Sequence, residues 1–160
     1  MELHNSKIDI SKAKREKLIA ILNQSLADAM DLKSQAKHAH WNVKGPNFIA
    51  LHELFDRVAT EVEAHVDEIA ERITTLGGTA LGTVRIAAEQ SALPQYPLEI
   101  TDGTAHVDAL SSALADFGKR VRKNIDETDE LGDADTADLY TGVSRAIDKL
   151  LWFVEAHNQA

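Results

Sequence analysis

Residues 40–72 read HWNVKGPNFIALHELFDRVATEVEAHVDEIAER, and the fold and chemistry of the chain turn on this stretch. From Phe48 onward, Leu51, Leu54, Phe55, Val58, Val62, Val66, Ile69 and Ile73 recur at steps of three and four, the pattern of one apolar helix face. A single helix is therefore expected from Phe48 to Leu76, stopped by Gly77-Gly78. On that helix His52/Asp56 and Asp67/Glu71 are two i,i+4 pairs, each on neighbouring turns. Asp56 and Asp67 are separated by 11 positions, about three turns, so both pairs share one stripe. At 1.5 Å of rise per residue they stand roughly 16 Å apart, whereas a metal ion holds its ligands at about 2 Å. One helix cannot bring both pairs to one ion. A second copy lying antiparallel across a two-fold axis would set His52/Asp56 of one chain against Asp67/Glu71 of the other, which points to a metal site between subunits.

The same periodicity extends in both directions. A first helix is expected from about Ser11 to Asn42, with Ser11 as N-cap and Leu18, Ile21, Leu22, Leu26, Ala29, Met30, Leu32 and Ala36 as its apolar members. Gly45-Pro46-Asn47 breaks the pattern before the second helix. Gly82 to Leu93 suits a short helix closed off by Pro94 and Pro97. A third long helix follows from about Asp102 or Thr104 to Asp129 (Val107, Leu110, Leu114, Phe117, Val121, Ile125). The fourth runs from about Asp133 to His157 (Leu139, Val143, Ile147, Leu150, Leu151, Val154), after a tight turn at Gly132. Four long helices with one long connection in the middle read as an all-α four-helix bundle with a short extra helix in the crossover, an arrangement that resembles the ferritin-like proteins. Residues 1–160 are read as one domain, with 1–10 as a flexible N-terminal tail.

Composition agrees. The chain has 44% hydrophobic and 27% charged residues, three prolines and no cysteine, so thiolate ligands, disulfides and thiol nucleophiles are excluded. Its net charge of −9 favours cations over nucleic acid as partners. The polar N-terminus lacks the apolar run of a signal peptide, and no segment has the apolar length of a membrane span, so a cytoplasmic protein is expected.

Taken singly, each candidate ligand has a plain reading: a boundary histidine, or a carboxylate on a solvated face. Their placement argues for more. The stripe carrying Asp56 and Asp67 borders Phe55, Val58, Val62, Val66 and Ile69, and carboxylates beside packed surface call for a cation or strong hydrogen bonds. Imidazoles with mixed carboxylates and no thiolate suit iron, manganese or zinc.

Three runs carry a more specific likeness. Lys37-His38-Ala39-His40-Trp41-Asn42-Val43-Lys44-Gly45-Pro46-Asn47-Phe48, then Leu51-His52-Glu53-Leu54-Phe55-Asp56, then Asp67-Glu68-Ile69-Ala70-Glu71-Arg72 resemble the Dps family, the mini-ferritins named for DNA protection in starved cells. The likeness continues through Asp135-Thr136-Ala137-Asp138-Leu139, Ser144-Arg145 and Asp148-Lys149-Leu150-Leu151-Trp152-Phe153. It implies a hollow homo-dodecamer that oxidises Fe(II), preferably with hydrogen peroxide, at ferroxidase centres on two-fold interfaces, and stores ferric oxyhydroxide. By position, His40, His52 and Asp56 would come from one subunit and Asp67 and Glu71 from its mate. Each site would take two Fe ions, with Zn or Mn as substitutes. Conventional ferritins use Glu-x-x-His within one bundle; that motif is absent from this sequence.

The resemblance gives roles to other residues beside plainer readings. Trp41 is either a radical or electron relay or a packing anchor. Lys37, one turn before His40, either tunes the site or is solvated, Arg72 is read as half of a structural ion pair, and Trp152 as an interface or core aromatic. Glu53, Glu61 and Glu63 are mineral-nucleation candidates. Asp133, Asp135 and Asp138, near Glu130, occupy the position that lines a three-fold iron pore in the family, although Asp is also favoured at helix starts and Asp133 suits a cap. For DNA, the candidate patch is Lys7, Lys12, Lys14, Arg15 and Lys17. It is thin and interleaved with Asp9 and Glu16, so DNA binding is slightly disfavoured, and a DNA-compacting protein with secondary metal chemistry is the alternative.

Overall fold

A computed structural model describes residues 3–159. Five helices follow in order: α1 Lys12–Asn42, α2 Phe48–Thr75, α3 Val84–Gln90, α4 Gly103–Glu130 and α5 Ala134–Glu155. No strand occurs among the described residues; a lone bridge joins Lys44 to Asp102. α1 pairs with α2 and α4 with α5, α1 also meets α4, α2 meets α5, and α3 lies on α1. The all-α bundle with a short helix in its crossover is as the sequence predicts.

Local chemistry sets the helix ends. Ser11 caps α1 by accepting from the Lys14 amide. At the end of α2, Gly77 takes φ +86°, its amide donates to Thr74 O, and the Gly78 amide donates to Ile73 O. Gly132 (φ +81°) repeats this after α4, with Gly132 N to Asp129 O and Asp133 N to Thr128 O. Both are Schellman turns, and the left-handed position explains why glycine stands there. α3 begins one residue after its Thr83 cap and ends at Gln90, three residues short of the expected limit, because Ser91 turns out to bind Asp31 on α1.

The core runs the length of the bundle: Leu18, Leu22, Leu32, Phe55, Val58, Val62, Ile69, Leu110, Leu114, Phe117, Tyr140, Ile147 and Leu150 are all buried. The N-terminal segment is less free than a loose tail. Leu3 packs against this core and the His4 amide donates to Gly77 O. Arg15, expected to be part of a basic patch, is buried and donates to the carbonyls of Ile10, His4 and Leu76. It is therefore withdrawn from any role in binding phosphate. Met1 and Glu2 lie outside the described residues.

Candidate metal centre

His40 sits on the last turn of α1, and His52 and Asp56 sit one turn apart near the start of α2. The Gly45-Pro46 turn folds the two helices back so that the imidazoles stack, with ring centroids 3.7 Å apart and planes at 22°. Nδ1 of His40 is 2.7 Å from the carbonyl oxygen of His52, and Nδ1 of His52 is 2.8 Å from the carbonyl oxygen of His40. A carbonyl oxygen only accepts, so both Nδ1 atoms carry the proton. That fixes the tautomer of each ring and leaves both Nε2 atoms as bare donors to a metal, oriented by backbone rather than by mobile side chains.

Asp56 already has a cation beside it. Lys37 Nζ lies 2.7 Å from its carboxylate, and this hydrogen bond holds the carboxyl below its usual range against the opposing effect of desolvation. The charge of Lys37 acts in the same direction, as would that of either imidazole if protonated. Lys37 Nζ also stands 5.5 Å from the Trp41 ring centroid, while Trp41 itself is 68% exposed in the single chain.

Asp67 and Glu71 lie farther along α2 and face solvent. Among the described residues of one chain, no three His, Asp or Glu side chains converge on a common metal position. The chain brings His40, His52 and Asp56 into one neighbourhood and leaves Asp67 and Glu71 outside it. The expectation that all these carboxylates border packed surface is thus met only in part, since in a lone chain the Asp67/Glu71 face is uncovered.

Other residues fall into place around this centre. Arg72 is indeed half of an ion pair, donating through Nη2 to both Asp133 oxygens at 2.8 and 2.9 Å, and through Nε to Thr136. Asp133 is 3% exposed and also caps α5 through the Thr136 amide. Its carboxylate is spent on these bonds, which removes it from the pore candidates, whereas Asp135 and Asp138 are exposed. Glu61 pairs with Arg57 and Glu63 with Lys33, and Glu53 is exposed. Trp152 is 59% exposed and packs on Phe153, so it is not a core aromatic. The reciprocal imidazole–carbonyl bonds were not legible in the sequence, because they arise only where two helices cross.

This architecture and its paired histidines define a ferritin-like protein, and the sequence profile of the Ferritin-like domain family matches residues 19–160. Over 159 residues the chain is 46% identical to the DNA protection during starvation protein of Agrobacterium fabrum, covering 99% of this chain and 98% of the relative. The structure of Mycobacterium smegmatis Dps superposes with a TM-score of 0.91 at 33% identity, covering 96% of this chain and 94% of that one. DpsC from Streptomyces coelicolor superposes with a TM-score of 0.92 at 31% identity, covering 97% and 91%. The chain belongs to the Dps family of ferritin-like proteins.

Proposed function

We propose that the protein is a mini-ferritin that oxidises Fe(II) at centres shared between subunits and stores the ferric product in a hollow dodecamer. The observation that carries this reading is the locked pair of imidazoles: two Nε2 atoms presented together, beside the Asp56 carboxylate, on a surface that lacks the rest of a coordination sphere. Asp67 and Glu71 of a two-fold partner are proposed to supply the remainder. An apolar groove supports a partner there: Trp41, Met30, Val66 and Val84 line it next to Lys37, and Trp41 and Val84 are strongly exposed in the single chain. Such a surface is characteristic of an interface.

Fe(II) is the substrate, two ions per centre. Hydrogen peroxide is the proposed oxidant: it takes one electron from each iron and, with two protons, leaves as two waters. Pairing the electrons avoids the one-electron cleavage that releases hydroxyl radical. Imidazole nitrogen and carboxylate oxygen also accept Zn or Mn, so those ions are expected to compete for the centre. Asp135 and Asp138 are proposed to line the iron inlet, where exposed carboxylates would concentrate cations, and Glu53 is the nucleation candidate not engaged in an ion pair. The name of the Agrobacterium fabrum relative ties that protein to DNA protection. For this chain, removing iron and peroxide together is the proposed route to that protection, in the cytoplasm. Direct DNA binding is disfavoured by the net charge of −9 and by the burial of Arg15.

The test is anaerobic Fe(II) loading followed by a peroxide pulse, monitored by ferric absorbance beside an oxygen pulse. Fast peroxide-dependent oxidation, with iron co-eluting with a particle of about twelve chains, is expected. His52→Ala should oxidise iron no faster than buffer while eluting at the same size. Wild-type speed in that variant would remove His52 from the centre.

A further inference from the structure

Behind the paired imidazoles lies a buried polar pair that iron binding does not use. Tyr96, in the crossover after α3, is 6% exposed, and its hydroxyl is 2.8 Å from Nδ1 of His106 on α4, which is 0% exposed. The phenol is the donor. Were Nδ1 protonated instead, the His106 Nε2 would be a buried bare acceptor facing no donor, and the phenol proton would have no acceptor. With the phenol donating, Nε2 carries the ring proton without a hydrogen-bond partner, and the Ile100 backbone favours positive charge on the ring. Burial, and to a lesser degree the nearby His38, hold His106 below its usual pKa; Asp102 acts in the opposite direction. The resting pair is accordingly neutral phenol and neutral imidazole, a proton donor facing an empty base.

The pair is also connected to the proposed centre. Phe55, one turn after His52 on α2, has its ring centroid 6.4 Å from that of His106. His38, two residues before His40 on α1, meets the Tyr96 ring edge-on at 5.2 Å. From each ligand histidine the pair is thus reached through a neighbouring residue and one ring contact.

The second tyrosine of the chain supplies the contrast. Tyr140 is fully buried, and its hydroxyl lies 2.9 Å from Ser25 Oγ, which accepts from Asn124. Burial raises the pKa of both tyrosines, so neither ionises at neutral pH. Loss of an electron makes a phenol strongly acidic, and a radical forms readily only if the proton has somewhere to go. Ser25 cannot take it. His106 can.

We propose that Tyr96 is a redox-active tyrosine with His106 as its proton acceptor, a sink for one-electron oxidants formed when peroxide meets a single Fe(II). Hydroxyl radical takes one electron from Tyr96 and becomes hydroxide. The phenolic proton passes to Nδ1 of His106, leaving a neutral tyrosyl radical beside an imidazolium. A further Fe(II) returns the electron and becomes Fe(III), His106 returns the proton, and solvent protonates the hydroxide to water. The electron crosses the ring contacts, so the oxidant never has to enter the core. The source of the oxidant rests on the ferroxidase reading; the phenol–imidazole chemistry does not.

The test therefore begins without iron. The metal-free protein is mixed with photogenerated ruthenium(III) tris-bipyridine, freeze-quenched and followed by EPR, with ring-deuterated tyrosine to separate tyrosyl from tryptophanyl signals. A tyrosyl signal is expected in the wild-type chain and in Tyr140→Phe, and its loss in Tyr96→Phe, which keeps the ring and its packing. His106→Gln preserves a polar partner that is no base, so its oxidation rate should fall by about a hundredfold, the lower range for a positioned base. If that variant does not fold, a solvent deuterium isotope effect on the wild-type rate reports the same proton transfer. A signal that follows Tyr140, that survives Tyr96→Phe, or that shows neither His106 nor isotope dependence overturns the proposal. A second arm repeats the measurement with Fe(II) and peroxide. A Tyr96 signal with light but none with iron overturns its protective role while leaving iron oxidation standing.

Discussion

At the proposed centre Lys37 does two jobs that compete with iron. Its ammonium occupies the Asp56 carboxylate and lies by the Trp41 ring, and the ion pair is only partly buried. An exposed ion pair is weak, whereas a metal offers a carboxylate a far higher charge density. Iron should displace the lysine, and Lys37→Met should bind Fe(II) a few-fold more tightly in an anaerobic titration, with a change in Trp41 fluorescence. Equal affinity would mean that Lys37 leaves Asp56 without cost. The candidates His52 and Asp56 are legible because i,i+4 spacing is a property of one helix, whereas His40, on α1, enters only through the family resemblance. The Lys37–Asp56 bond and the imidazole–carbonyl lock depend on how α1 crosses α2, so spacing within one helix could not reveal them. The Tyr96–His106 pair is not legible in the sequence for the same reason: the two stand 10 residues apart on a loop and a helix, with no periodicity to join them.

Boundaries of the four long helices are readable to within a residue or two because caps and glycine stops are local chemistry: Ser11, Gly77 and Gly132 each sit where backbone geometry demands them. What the local pattern left undecided was whether Asp133 is a cap or a pore residue. The structure decides through Arg72, one of whose neighbours in α2 is Glu71. Burial of Asp133 raises its pKa, but hydrogen bonds from Thr136 and Arg72 outweigh that effect and leave the native pKa lowered. A lowered native pKa means that the unfolded chain binds the proton more readily. The Asp133 contribution is therefore fully present above its unfolded value near 3.8 and is lost as pH falls through the native value. Asp133→Asn leaves the Arg72 guanidinium without its countercharge in a site where the arginine is only 15% exposed. It should destabilise the protein by about 3 kcal/mol at neutral pH, and the acid limb of its stability profile should flatten. Chemical denaturation at neutral pH and near pH 3 would measure both. An unchanged acid limb would show that Asp133 titrates normally.

For the whole molecule, a separation of roughly 16 Å between the two ligand pairs of α2 requires a shared centre, which no single variant can test, because a chain lacking one ligand fails whether the centre is shared or not. Complementation separates the two arrangements. Let one chain carry His52→Ala and Asp56→Ala, and another Asp67→Ala and Glu71→Ala. Assemblies of either chain alone should not oxidise iron. In a two-fold pair made of one of each, one interface centre receives His52 and Asp56 from the second chain and Asp67 and Glu71 from the first, so it is complete, while its twin has neither half. Random mixing makes half of the pairs mixed, each with one working centre of two, so about a quarter of wild-type fast oxidation should return on co-refolding. A centre built inside one chain gains nothing from mixing, since no chain in the mixture holds a full set. Recovery near a quarter, rising and falling with the product of the two chain fractions, would establish that the ligands come from different subunits; no recovery in mixed assemblies of wild-type size would refute it.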